Sequence, residues 1–73
     1  MRLRAGGIRL TALRIARMAQ GIRRVELARA TDLSESTLGR IERGDREARP
    51  NERRAIARAL GLGVRETFPR EAA

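Results

Sequence analysis

The stretch VELARATDLSESTLGRIERG, residues 25–44, decides how this chain is read. It holds two helical patterns pressed against a break of only a few residues. The first pattern, at 24–30, takes its apolar side from Val25, Leu27 and Ala28. Thr31, Asp32 and Leu33 form the break, and Asp is among the few non-glycine residues that tolerate the left-handed conformation a sharp turn often requires. Ser34 suits the N-cap of the next helix, because its hydroxyl accepts an orphan backbone N–H. Glu35 falls in the first turn, where the helix dipole favours an acid. Leu38 and Ile41 stand three apart and share one face. Glu35, Ser36, Gly39, Arg40 and Arg43 are left facing outward, and Gly44 is expected to end the helix as a left-handed cap.

Two short helices joined this tightly form a helix-turn-helix unit. Its geometry has a physical reason. One helix lies across a phosphate backbone and braces the other, which enters the major groove, a space wide enough for a single α-helix. Ala28 lets the two helices cross closely. Leu33 and Leu38 plug into the core beneath the turn.

Outward from this unit, Ile8, Leu10, Leu13, Ile15 and Met18 recur at roughly helical spacing, with Arg9, Arg14 and Arg17 between them. They predict a first helix over 8–19, stopped near Gly21. Residues 1–7, with Arg2, Arg4 and a Gly-Gly joint, read as a loose basic arm, and 70–73 as a short tail. Downstream, 45–50 is a polar loop. Asn51 is expected to cap a fourth helix with Glu52 in its first turn. Ala55, Ile56, Ala59 and Leu60 supply its core stripe, and Gly61 ends it. A last short helix is expected over 64–68, before Pro69. No run alternates with period two, so no strand is expected. The fold class is all-α: a compact bundle of four to five short helices within 8–69.

Composition narrows the function. A chain of 73 residues forms one domain with a small core and modest stability. It has no cysteine and no histidine, which removes disulfides, thiolate metal sites and the commonest general base. Lys and Tyr are also absent, and the two serines, Ser34 and Ser36, have no base partner that the sequence can name. No spacing suggests a calcium loop or a phosphate-cradling loop. No enzyme, cofactor or metal site is expected. All 17 basic residues are Arg, set against 9 acids, for a net charge of +8. Such a surplus attracts polyanions, and the planar guanidinium fork matches phosphate geometry. Phe68 is the single aromatic residue, which argues against single-stranded nucleic acid, whose binders stack bases on rings. No apolar run approaches the roughly 18 residues needed to span a bilayer, and no apolar signal segment follows the basic start. A cytoplasmic protein with no membrane partner is expected.

LARATDLSESTLGRIERG resembles the Cro/CI-type (XRE-like) helix-turn-helix domain of phage repressors and bacterial regulators. The residues that carry the likeness are Leu27 and Ala28, Ser34, and the run Ile41, Glu42, Arg43, Gly44. It continues through Pro50, residues 59–62 and Phe68, and so covers about 8–69. The resemblance implies five helices in a lambda-repressor-like bundle. It also implies an ion pair between Arg17, late in the first helix, and Glu42, with Arg17 reaching a phosphate as well. It puts Glu35, Ser36 and Arg40 at base-reading positions. Arg40 suits guanine O6 and N7, and Glu35 suits cytosine N4. Phosphate contacts are expected from Arg17, Arg23, Arg24, Ser34, Arg43, Arg46 and Arg49, which set register rather than sequence. Arg29, Arg53, Arg54, Arg58 and Arg65 are expected to form a solvated face.

The chain departs from the family pattern at several places. Arg24 replaces the usual Gln and Arg23 the usual Ser or Thr, which leaves a weak N-cap. Asp32 stands where Gly is favoured in the turn. Gly39 lies inside the recognition helix, at a cost of about 1 kcal/mol relative to Ala. Thr67 replaces a Leu and weakens the last helix. The functional expectation is a sequence-specific regulator of double-stranded DNA, a repressor acting as a homodimer on a near-palindromic site. The competing expectation is a protein-interaction module, or an antitoxin-like partner, whose helix-turn-helix no longer reads sequence. A third is general coating of nucleic acid. For the homodimer, Leu62, Val64 and Phe68 are candidate surface residues, with closure of the monomer's own core the favoured role for them.

Overall fold

A computed structural model of the chain describes residues 11–70. Five helices follow in order: α1 (Ala12–Ala19), α2 (Arg24–Thr31), α3 (Glu35–Arg43), α4 (Pro50–Leu60) and α5 (Val64–Thr67). There is no strand among the described residues. The expected arm at 1–7 and most of the expected tail lie outside them.

One closing device recurs at four helix ends. Gly21, Asp32, Gly44 and Gly61 all take positive φ, at 71°, 63°, 81° and 70°. In each case the next residue's N–H bonds back to a carbonyl five positions earlier: Ile22 to Arg17 O, Leu33 to Ala28 O, Asp45 to Arg40 O and Leu62 to Ala57 O. This satisfies carbonyls that a helix end would otherwise leave orphaned. Asp32 carries the turn between α2 and α3 where glycine is usual. After three of these turns an apolar residue, Ile22, Leu33 or Leu62, packs against the core. After α3 the residue is Asp45, which pairs with Arg43 instead.

Helix starts use two devices. Thr11 and Ser34 cap α1 and α3 with their hydroxyls, accepting from Arg14 N and Thr37 N. For α2, α4 and α5 the cap is a glutamate at the third helical position that reaches back. Glu26, Glu52 and Glu66 accept from the backbone N–H groups of Arg23, Arg49 and Gly63, at 2.8, 2.9 and 2.8 Å. This is half of a capping box, and it supplies what Arg23 lacks as a cap. Asn51 is not a cap. Arg49 occupies that position with Pro50 as the first helical residue, where proline's missing N–H costs nothing.

The core gathers Leu13, Leu27, Ala28, Leu38, Ile41, Ala48, Ile56, Leu60 and Phe68. α2 packs against α3 and α4, and α1 against α3 and α5. Three sequence expectations are corrected here. The first helix begins at Ala12, because Thr11 is extended, with ψ 160°. Its inner stripe is not the full apolar set: Leu13 is buried, whereas Ile15 and Met18 are 52% and 54% exposed. On α4 the buried residues are Ile56, Ala57 and Leu60, and Ala59 is exposed. Phe68 closes the monomer core with Leu62 and Val64 packed against it. Thr67 is also buried, and its hydroxyl donates to Gly63 O at 3.0 Å, so the polar atom is satisfied in place.

Candidate nucleic-acid interface

α3 has two faces. Leu38, Ile41 and Glu42 turn inward and are buried. Glu35, Ser36, Arg40 and Arg43 turn outward and are exposed. Ser34 fixes the start of this helix. Its hydroxyl accepts from Thr37 N and donates to Thr37 Oγ1, each at 3.0 Å. Gly39 corrects the outward set, since it is buried. Its position belongs to the outer arc by helical periodicity, but Arg24 and Arg43 lie across it. A Cβ built there would stand 3.4 Å from Arg24 Nη1 and 3.5 Å from Arg43 Nη1.

Behind α3, Glu42 is 2% exposed and holds Arg17. Arg17 Nε donates to Glu42 Oε2 at 2.5 Å and Nη2 to Oε1 at 3.1 Å, while Nη1 donates to Ile22 O at 2.7 Å. One guanidinium thus ties α3 to the closing turn of α1. Thr11 strengthens the same joint, since its hydroxyl donates to Glu42 O at 2.7 Å. A bidentate Arg–carboxylate pair fixes orientation as well as distance.

The remaining cations divide by partner. Arg46 is largely covered and grips Glu52 through Nη1 and Nη2 at 2.9 and 3.3 Å. Those hydrogen bonds and the Arg49 backbone N–H hold the Glu52 carboxyl below its ordinary value of 4.5. Arg53, expected on a solvated face, is half-buried and donates to Ala48 O at 2.7 Å. Arg23, Arg24, Arg40 and Arg49 are exposed, as are Arg29, Arg54, Arg58 and Arg65. Arg23 faces Glu26 only loosely, at 3.7 Å.

Sequence reasoning missed Thr11 and Gln20, whose side-chain amide donates to Leu60 O at 2.8 Å and ties α1 to α4. A threonine ahead of a helical pattern is a capping signal. It was masked by Ile8 and Leu10, which extended the apolar pattern upstream. No helix among the described residues is long and apolar enough to cross a membrane.

A helix-turn-helix family model matches residues 13–66. A search of curated proteins gave no match. Among solved structures, the restriction-modification controller protein C.AhdI from Aeromonas hydrophila is 35% identical, with a TM-score of 0.74. That match covers 78% of this chain and 86% of the controller. Helix order, the turn at Asp32 and the matched span agree: this chain belongs to the Cro/CI-type (XRE-like) family of helix-turn-helix DNA-binding regulators.

Proposed function

We propose that the protein is a sequence-specific repressor of transcription that binds double-stranded DNA as a homodimer, with α3 in the major groove. The observation that carries this reading is the two-sided build of α3. Its inner face is locked by Leu38, Ile41 and the Glu42–Arg17 pair, while Glu35, Ser36 and Arg40 stand exposed together on the other side. A rigid helix with a polar outer face is what base-edge recognition requires. Arg40 forks onto guanine, Glu35 accepts from cytosine N4, and Ser36 tolerates several bases. Phosphate contacts come from Arg23, Arg24, Ser34, Arg43 and Arg49, with Arg17 and Arg46 adding only what Glu42 and Glu52 leave of their guanidinium groups. The likeness to a restriction-modification controller supports a role in transcriptional control. The protein acts in the cytoplasm, with no catalytic activity and no cofactor.

The test is to select bound duplexes from a random pool and compare the winner with scrambled DNA at several salt concentrations. A palindromic winner bound about a thousandfold tighter supports the dimeric regulator. Equal affinity with a steep salt slope leaves only phosphate attraction. No binding at physiological salt overturns the DNA reading in favour of a protein partner.

A further inference from the structure

We infer that Arg24 reads a base pair from α2, with its guanidinium seated over Gly39, where α3 supplies no side chain. The inference rests on the DNA-binding reading above and, for Arg24 alone, puts a base in place of the phosphate. Gly39 lies inside the outward set of α3. Glu35 stands four positions before it, Ser36 three before and Arg40 one after, and residues three or four apart share a helix face. A side chain at position 39 would therefore stand among the three residues proposed to read bases. Glycine offers none, and Arg24, the first residue of α2, fills that space. Its Nη1 lies 3.4 Å and its Cζ 3.8 Å from the position a Cβ would take. Arg24 has no side-chain ion pair or hydrogen bond among the described residues.

Place decides which part of a duplex such a group meets. Phosphates line the walls of the major groove, and base edges form its floor. A guanidinium on the arc that α3 turns to the groove meets the floor, where its planar fork matches guanine O6 and N7. The glycine then has a reason. Glycine inside a helix costs stability, and local conflicts of this kind gather at functional sites. A Cβ at position 39 would already touch Arg24 Nη1. A longer side chain would push the guanidinium off the outward face of α3.

The test measures affinity of the wild type and of Arg24→Ala for the selected duplex and for each of its single-base-pair variants. Arg24→Ala is expected to lose about 5–150-fold of discrimination at one G·C pair of a half-site, the worth of one bidentate base contact. Discrimination at the other pairs is expected to stay. Equal weakening on every variant and on scrambled DNA overturns the inference, because that is the mark of a phosphate contact. Unchanged discrimination at every pair also overturns it. A wild type that prefers no duplex removes the sequence-reading function itself, and the inference with it. Gly39→Leu then tests the seat. It is expected to lose discrimination at the same pair as Arg24→Ala, and the double variant to lose no more than either alone. Losses at different pairs, or losses that add in full, would show that Arg24 does not act from over Gly39.

Discussion

Arg17 and Arg24 are the same residue type on either side of one turn, and the fold uses them in opposite ways. Arg17 is 12% exposed and committed to Glu42 and to Ile22 O. Arg24 is exposed and leans over Gly39 on the outer face of α3. The inner face of α3 is therefore a joint held by one arginine, whereas the outer face leaves Arg40 and Arg43 exposed. The difference lies in the partner. A carboxylate buried at Glu42 makes its arginine structural, whereas an arginine without one remains available to an external anion.

Breaking the inner joint should have the largest effect. Glu42→Ala leaves the Arg17 charge mostly buried without its partner, and loss of one member of such a pair costs about 3–5 kcal/mol. A domain of this size has only about 4–11 kcal/mol in total. Thermal unfolding should show a melting temperature lower by roughly 12–40 °C. A near-normal value would mean that the joint does not hold α3.

The outer face should behave in the opposite manner. Arg40→Ala is expected to leave melting unchanged and to cost about 1–3 kcal/mol in affinity at one base position. Binding to the selected duplex, with that position varied, measures it. Uniform weakening across all sequences would move Arg40 from base reading to phosphate contact.

Ser34 lies between the two faces, since it starts the helix that carries both. Ser34→Ala removes the acceptor for Thr37 N and should lower stability by about 1 kcal/mol, as loss of an N-cap does. Chemical denaturation reads it directly. A neutral effect would show that the α2–α3 turn alone sets the start of α3.

The smallest effect is expected where the loop ahead of α4 meets its first turn. The Glu52 carboxyl is held below 4.5 first by its hydrogen bond with Arg46, then by the Arg49 N–H. A lowered folded value means that its contribution is complete above about pH 4.5 and is lost as pH falls through the folded value. Glu52→Gln should cost less than about 1 kcal/mol near neutrality, because the pair is partly open to water. The melting curves of variant and wild type should then converge as pH drops below 4.5. A constant gap down to low pH would mean that Glu52 acts only as a cap, without the Arg46 charge.

The fold was legible where a local rule leaves one solution. Asp32 and Gly44 could be assigned as left-handed turns, Ser34 as a cap, and Leu38 with Ile41 as an inner face, because each depends on residues only a few positions away. The helix-turn-helix followed from that spacing, and the family from the resemblance carried by Leu27, Ala28, Ser34 and residues 41–44. Local reasoning failed on α1 and α4, where apolar residues outnumber inner positions. Ile15 and Met18 fit a helical count but lie off the inner face carried by Leu13, half-buried Ala16 and Arg17.

The sequence by itself determined an all-α bundle of four to five helices, the turns at Asp32 and Gly44, the basic surplus and, Gly39 apart, the outward residues of α3. Glu42 and Arg17 were paired through resemblance, and their spacing alone gives no reason for the contact. Only the tertiary structure decided which arginines are spent on the frame, that Thr11 binds α1 to the end of α3, and that Gly39 is covered by Arg24 and Arg43. A helix start or stop is fixed by neighbours along the chain. Whether a charged side chain turns inward or outward depends on a partner brought near by packing, and that partner can lie 25 residues away, as Glu42 does from Arg17.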